Sequence, residues 1–100
     1  MSFVQIISFQ SDRIDEIQQL RNQWLDESQG QRSAKNSRLL QNRDAGNSYS
    51  VIVEFPSYDE AMANSGLPAT QAFAEKMSKL CTGAPEFMNL EVLEEESFLP

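Results

Sequence analysis

The chain contains no histidine, and this absence removes the side chain that most often serves as a general base or as a ligand of haem or zinc. The single cysteine, Cys81, cannot form a disulfide within the chain, and no histidine is present to activate its thiol. We therefore expect no metal site and no cofactor. Cys81 is interpreted as an inert buried thiol in a protein of a reducing compartment.

Basic residues are scarce, because 8 lysines and arginines stand against 15 acidic residues and give a formal net charge of −7 at pH 7. Such a charge disfavours binding to nucleic acid or to an anionic membrane surface. No apolar run approaches the ~20 residues of a membrane-spanning helix, and the first residues lack the basic start and apolar core of a signal peptide. The expectation is a cytoplasmic protein without nucleic-acid or membrane partners.

The length of 100 residues indicates a single domain over residues 1–100. Gly46 and Asn47 predict a turn that joins two neighbouring strands as a hairpin. In all but the second strand, apolar side chains alternate onto both faces, so both faces of the sheet need cover. The predicted strands are Phe3–Gln10, Arg38–Arg43, Ser48–Phe55 and Glu86–Glu94. The third is rich in β-branched and aromatic residues, whereas Arg38–Arg43 is a weak candidate with two leucines and two arginines.

An amphipathic helix of about four turns is predicted after the first strand. Asp12 is interpreted as its N-cap, and Asp15 is favourable in its first turn. The face that should pack on the sheet consists of residues at helical spacing: Ile14, Ile17, Leu20, Arg21, Trp24 and Leu25.

Two further helices are predicted after the third strand. Ser57 and Glu60 have the spacing of a capping box, which indicates a short helix from Tyr58 to about Asn64. Pro68 suits the first turn of the next helix. The apolar stripe of that helix comprises Phe73, Met77 and Leu80.

The order of elements, β-α-β-β-α-β, predicts an α+β fold of the ferredoxin-like kind, with a four-stranded antiparallel sheet and the helices on one face. The other face would expose apolar side chains, which favours a homodimer in which two sheets face each other. The C-terminal residues Phe98, Leu99 and Pro100 either reach across to the second subunit or fray in solvent.

Two motifs within Phe55–Met77 resemble those of a known family: Ser57-Tyr58-Asp59-Glu60-Ala61 and Leu67-Pro68-x-x-Gln71-Ala72-Phe73. The segment resembles the dimeric α+β barrel superfamily, and most closely its antibiotic-biosynthesis-monooxygenase-like branch. This resemblance implies a homodimer whose sheets close into a barrel, with a cavity in each subunit between helices and sheet. Members include haem-degrading enzymes, which the chain fits poorly without histidine, and cofactor-free monooxygenases of polycyclic phenols.

Asn64 and Tyr58 are the candidate catalytic residues. Asn64, at the expected mouth of the cavity, could hydrogen-bond a substrate carbonyl or an oxyanion, and Tyr58 could donate a proton to a bound substrate. Each also has a structural interpretation, as a helix C-cap and as a half-exposed first-turn residue. Glu54 could act as a base if it faced a covered sheet, or it could pair with an arginine.

The candidate ligand pocket comprises Trp24, Phe73, Met77, Arg38 and Arg43. Trp24, Phe73 and Met77 would form its apolar walls, and one arginine could attract an anionic phenolate. The structural alternatives are core packing for Trp24 and protection of an edge strand for the arginines.

Two functions follow from these residues. The preferred one is a small dimeric protein that binds a small apolar or aromatic ligand between helices and sheet. The alternative is a cofactor-free monooxygenase of polyphenolic or quinol-type substrates, in which the deprotonated substrate itself reduces O2. A cavity of ~300 Å3 or more near Asn64 would support either, whereas a filled core with Trp24 against Phe73 would contradict both.

Overall fold

The computed structural model describes residues 2–99 and shows an α+β chain in the order β1-α1-β2-β3-α2-α3-β4. The strands are β1 (Phe3–Gln10), β2 (Asn36–Gln41), β3 (Ser48–Phe55) and β4 (Glu86–Glu91). The helices are α1 (Ile14–Glu27), α2 (Tyr58–Ser65) and α3 (Pro68–Leu80). Every predicted element is present, although β2 lies closer to the N-terminus than predicted and β4 ends before Glu94.

The four strands form one antiparallel sheet in the order β2-β3-β1-β4, which confirms the predicted ferredoxin-like arrangement. The central pair, β1 and β3, is in register from Phe3 opposite Phe55 to Gln10 opposite Ser48. The two outer strands, β2 and β4, pair with β3 and β1 respectively and form the edges of the sheet.

The hydrophobic core lies between the helices and one face of the sheet, which we call the helix-side face. Its main cluster joins strand residues to one buried residue from each long helix: Phe9, Tyr49, Val51, Ile17 and Met77. A second cluster under α2 comprises Phe3, Phe55 and Ala61. The apolar stripe predicted for α3 therefore packs in the core, whereas that of α1 does so only at Ile14, Ile17 and Leu20, and Leu25 is 39% exposed.

The residues on the other face of the sheet can be identified from the strand register, because successive side chains along a strand point to opposite faces. We call this the open sheet face, and its apolar residues are Val4, Ile6, Leu40, Ile52, Met88 and Leu90. Of these, Met88 is 51% exposed and Leu40 is 39% exposed. The predicted bare apolar face is thus present in the single chain.

The start of α1 corrects the predicted N-cap. The helix begins at Ile14 with Arg13 in the N-cap position, and Asp12 is an exposed residue outside it. The helix has no side-chain cap; the hydroxyl oxygen of the buried Ser11 accepts instead from the backbone N–H of Arg13 itself at 2.9 Å, which fixes the turn before the helix. At α2, by contrast, the Ser57 hydroxyl accepts from the Glu60 N–H at 3.2 Å, as its spacing predicted.

The C-terminal segment leaves the sheet after β4. The Val92 backbone N–H still donates to the Ser2 carbonyl at 3.0 Å, beside the start of β1. Phe98 and Leu99 are 88% and 83% exposed, and Pro100 lies outside the described residues. Within residues 2–99, no helix is both long and apolar enough to cross a bilayer.

Candidate functional site

An apolar cleft of about 500 Å3 lies between α3 and the helix-side face of β1 and β4, and we call it the α3 cleft. Ile7 and Phe87 line it from the sheet, and Phe73 and Met77 line it from α3. The volume is within the range of small-molecule sites. A cleft between a helix and the sheet is therefore present and exceeds the ~300 Å3 expected of a ligand site, but Asn64 is not among its lining residues, so the cleft does not open where the cavity was expected.

The cleft exists because α3 does not cover the edge strand β4. The α3 residues that border the cleft include the short side chains of Ala74 and Ser78, which leave space above the strand. All six β4 residues are exposed, and Phe87 remains 57% exposed although its strand partner Ile7 packs on the core. The apolar wall formed by Phe87 thus stays accessible to a ligand.

Most polar groups of the cleft already have hydrogen-bond partners. The Ser65 hydroxyl donates to the Ala61 carbonyl at 3.1 Å, and the Ser78 hydroxyl donates to the Glu75 carbonyl at 2.8 Å. The Gln5 side-chain amide donates to the Asn89 side chain at 3.2 Å. Among the lining residues, Glu75 is the only one with a charged side chain.

The predicted apolar walls are only partly brought together. Phe73 and Met77 line the α3 cleft, whereas Trp24 lies between α1 and α3, outside the lining. There Trp24 and Phe73 border a gap of only about 10 Å3, barely the volume of one water probe, so no ligand fits between them. Of the two arrangements weighed from the sequence, the filled one is present between α1 and α3, and the open one is present on the other side of Phe73, in the α3 cleft. Trp24 still reaches the cleft indirectly, because its indole N–H donates to the hydroxyl of the lining residue Thr70 at 2.9 Å.

Asn64 is the penultimate residue of α2 and is only 6% exposed. The C-cap of this helix is Gly66, so the alternative interpretation of Asn64 as a C-cap is wrong. Its Oδ1 atom is buried and has no hydrogen-bond partner among the described residues. Asn64 does not line the α3 cleft, but the next residue, Ser65, does.

Tyr58 lies at the start of α2, outside the lining of the α3 cleft. It is 50% exposed, and its ring packs edge-on against Phe3 with 5.4 Å between centroids. The structure therefore places Tyr58 as a half-exposed first-turn residue and does not bring it together with Phe73 and Met77.

The two arginines lie away from the α3 cleft. Leu39 packs against the core opposite Val51, so the alternation of β2 turns Arg38 to the open sheet face. Arg43 is an exposed residue of the connection between β2 and β3. The strand register thus separates both guanidinium groups from the apolar walls with which the sequence grouped them.

Two other titratable groups, Glu54 and Cys81, lie outside the lining of the α3 cleft. Glu54 lies on the open sheet face, where its carboxylate accepts from the Asn36 amide at 3.0 Å and pairs with Lys35, rather than with an arginine, at 3.8 Å. Cys81 is half-buried against the core, and this burial raises the pKa of its thiol above the ordinary value. A raised pKa fits the inert thiol that the sequence predicted.

Sequence reasoning missed Thr70 and Phe87, although both carry a signal. Thr70, Phe73 and Met77 recur at helical spacing, which places the threonine at one end of the predicted apolar stripe. Phe87 lies within the predicted strand Glu86–Glu94, but its exposure could not be predicted, because the missing cover of β4 depends on how α3 crosses the sheet. Among residues 2–99, no group of three or more His, Cys, Asp or Glu side chains is arranged to hold a metal ion.

No protein-family model matches the chain, and no curated protein matches it. Solved structures do match. A protein of Mycobacterium tuberculosis, Rv0793, superposes with a TM-score of 0.80 at 15% identity, covering 97% of this chain and 100% of its own. SnoaB, a cofactor-independent oxygenase from Streptomyces nogalater, has a TM-score of 0.79 at 18% identity over 94% of this chain and 95% of its own.

A third structure, of an antibiotic biosynthesis monooxygenase, superposes with a TM-score of 0.75 at 10% identity and covers 94% of this chain and 100% of its own. At such identities the agreement concerns the fold, and it extends over nearly the whole of each chain. The chain therefore has the ferredoxin-like α+β fold of the antibiotic-biosynthesis-monooxygenase-like proteins.

Proposed function

We propose that this protein binds a small apolar or aromatic ligand in the α3 cleft. The observation that carries the proposal is the cleft itself, with a volume of about 500 Å3 and walls formed by Ile7, Phe73, Met77 and Phe87. Burying ~200 Å2 of apolar ligand surface there would contribute on the order of 5 kcal/mol before the entropic cost of association. This magnitude is compatible with weak, reversible binding.

The lining of the cleft favours binding over acid–base chemistry. Its only charged side chain, Glu75, is exposed on α3 and lies 3.9 Å from Lys79. A general base must be held within hydrogen-bond reach of the proton it abstracts, and the exposed Glu75 has no surroundings that would hold it there. Ligand binding alone requires only the apolar walls and one or two polar contacts.

We further propose that the binding protein is a cytoplasmic homodimer. Two copies of the chain would associate through the open sheet face. This is supported by the apolar residues there, such as Ile6, Ile52 and Met88, which no helix of the same chain covers. The lone Cys81 is compatible with a reducing compartment.

A binding titration with a matched pair of variants tests the ligand site. The Ala74→Phe substitution places a ring inside the α3 cleft, whereas Ala63→Phe places the same ring on an exposed position of α2. We expect Ala74→Phe to weaken binding of a naphthalene-sized ligand at least about tenfold and Ala63→Phe to leave it unchanged. Equal affinity of Ala74→Phe and the unsubstituted protein would locate the ligand elsewhere.

The second candidate function is a cofactor-free monooxygenase of polyphenolic or quinol-type substrates. Its support is the shared fold with the oxygenase from Streptomyces nogalater, together with the unpartnered Oδ1 of Asn64 next to the cleft residue Ser65. Oxygen consumption with anthrone- and quinol-like substrates tests it. Turnover that is lost in Asn64→Ala and in Tyr58→Phe would establish this function. Turnover that persists in both variants would show that Asn64 and Tyr58 take no part in the reaction.

A further inference from the structure

We propose that the α3 cleft selects neutral aromatic ketones and related carbonyl compounds, whose oxygen accepts a hydrogen bond from the Thr70 hydroxyl. Trp24 acts as a positioning residue, because its indole N–H holds that hydroxyl in place. This inference rests on the proposed ligand binding in the cleft and specifies its ligand class.

The hydrogen bond between Trp24 and Thr70 fixes which atoms remain free. The indole nitrogen can only donate, so at 2.9 Å the Thr70 oxygen must be the acceptor. The hydroxyl proton of Thr70 is then left to point elsewhere, and no hydrogen bond among the described residues uses it. Because Thr70 is half-buried and lines the α3 cleft, this proton is available to a ligand inside it.

The Thr70 hydroxyl is held in its orientation by Trp24, a residue of α1. Trp24 is half-buried between α1 and α3, and the Arg32 guanidinium lies 5.7 Å from the centre of its ring. The indole is thus held on two sides, by its hydrogen bond to Thr70 and by its contact with Arg32. A donor held in this way loses little conformational freedom when a ligand binds.

The other hydroxyl donors of the cleft are already used. Ser65 and Ser78 donate to the helix carbonyls of Ala61 and Glu75. Gln71 also lines the cleft, but its side chain is exposed and can bond to water. Thr70 is therefore the half-buried lining residue whose hydroxyl is free to donate, and a ligand acceptor is its matching group.

Charge excludes anionic ligands from the same place. The lining contains no lysine or arginine, Glu75 adds a negative charge, and Arg38 faces the opposite side of the sheet. The chain as a whole carries a formal net charge of −7. A carboxylate or a phenolate would thus find no cation among the lining residues, and the nearby Lys79 is already paired with Glu75, whereas a neutral carbonyl needs only the hydroxyl.

Three ligands of similar size and ring system separate these effects: 2-acetylnaphthalene, which carries a neutral acceptor, 2-ethylnaphthalene, which carries none, and 2-naphthoate, which is anionic. Their dissociation constants can be measured by equilibrium dialysis against the full chain. We expect the ketone to bind about fivefold more tightly than the hydrocarbon, the effect of one net hydrogen bond. The naphthoate should bind more weakly than both.

Substitutions at the two residues then test the roles assigned to them. Thr70→Val should reduce the ratio of ketone affinity to hydrocarbon affinity to about one. Thr70→Ser keeps a hydroxyl and should therefore keep most of the preference for the ketone. Trp24→Phe keeps an aromatic ring but lacks the N–H, so it should lower the ratio without changing hydrocarbon binding. If Trp24 had only a structural role, Trp24→Phe would weaken the binding of the ketone and of the hydrocarbon alike.

The outcomes separate this inference from the proposed function. If hydrocarbon and ketone both fail to bind, the proposed ligand site is itself wrong. If both bind equally, if Thr70→Val keeps the preference, or if naphthoate binds most tightly, the cleft is a ligand site but Thr70 does not select a neutral carbonyl. Should Thr70→Val fail to fold by circular dichroism, the ligand series and Thr70→Ser still decide the question.

Discussion

The Ser11 hydroxyl donates to the Leu80 carbonyl at 2.6 Å and thereby joins the start of α1 to the end of α3. The same oxygen accepts from the Arg13 backbone N–H at 2.9 Å, and the Ser11 backbone N–H donates to the Asn47 carbonyl at 3.0 Å. Ser11 is 1% exposed. One buried serine thus satisfies backbone groups from three separate segments, far apart in the sequence.

We expect Ser11→Ala to lower the free energy of unfolding by about 1–3 kcal/mol, because it leaves the Leu80 carbonyl and the Arg13 N–H without their partner in a buried place. Urea denaturation measures the change. The matched control is Ser97→Ala, at an exposed position in the C-terminal segment, which should change stability by less than about 0.5 kcal/mol. Equal effects of the two substitutions would contradict the role assigned to Ser11.

The sheet and its helices could be predicted from the sequence because their signals are local. The run of apolar residues on both faces of Phe3–Gln10 and the helical spacing in Pro68–Leu80 can be recognised without knowledge of what these elements pack against. The N-cap of α1 was predicted wrongly, because Asp12 is a preferred capping type but the helix begins at Ile14 with Arg13 as its N-cap and no side-chain cap. The hydrogen bond of Ser11 to the Leu80 carbonyl, which depends on the tertiary fold, could not be predicted from the sequence.

The open sheet face leads to a prediction about assembly. Met88 is 51% exposed in the single chain, so Met88→Glu should be tolerated by the monomer but should place a charge inside a sheet-to-sheet interface. In sedimentation equilibrium at micromolar concentration we expect the unsubstituted protein at twice its chain mass of 11.3 kDa and Met88→Glu at the monomer mass.

The control for this experiment is Gln18→Glu, which adds the same charge on an exposed position of α1. It should sediment as the unsubstituted protein does. A monomeric unsubstituted protein would contradict the proposed homodimer, and a dimeric Met88→Glu would move the interface away from the open sheet face.

Cys81 leads to a prediction about pH. Burial raises the pKa of its thiol in the folded protein, so the thiol stays protonated to a higher pH than in the unfolded chain. The unfolded chain therefore releases its proton first, and the free energy of unfolding should fall as the pH rises above about 8.5, the ordinary thiol pKa. Cys81→Ala should lack this part of the decrease.

The same group can be followed chemically. Alkylation by iodoacetamide at pH 8.5 should be slower for folded Cys81 than for the urea-unfolded chain, because the thiolate is the reacting form. Reaction at the same rate in both states would show that the folded thiol has an ordinary pKa.

The candidate site was less predictable than the fold. Phe73 and Met77 were identified because both belong to a helical apolar stripe, and a stripe indicates which side of α3 meets the sheet. Arg38 was placed in the same pocket, but it lies on the opposite face of the sheet. Successive side chains of a strand point to opposite faces, and β2 lacks the alternation of apolar and polar residues that would have shown which face Arg38 occupies. The role of Thr70 depends on Trp24 in another helix, and neither residue indicates it alone.

Asn64 leads to the last prediction. Its side chain is almost fully buried, its Oδ1 has no partner among the described residues, and leucine has nearly the same shape. Burying an unpaired polar atom is unfavourable, so we expect Asn64→Leu to raise the free energy of unfolding by about 1 kcal/mol in urea denaturation. Asn22→Leu, at an exposed position of α1, should stay within about 0.5 kcal/mol of the unsubstituted protein.

A stabilised Asn64→Leu variant would have a consequence for function. A buried asparagine that lowers stability is the kind of residue that an active site retains for its chemistry, since such sites often sacrifice stability. If the variant is more stable and ligand binding in the α3 cleft is unchanged while oxygen consumption disappears, Asn64 serves the monooxygenase reaction. If the variant is destabilised by more than about 1 kcal/mol, the amide makes a stabilising contact, such as a bond to a buried water, and its burial is structural.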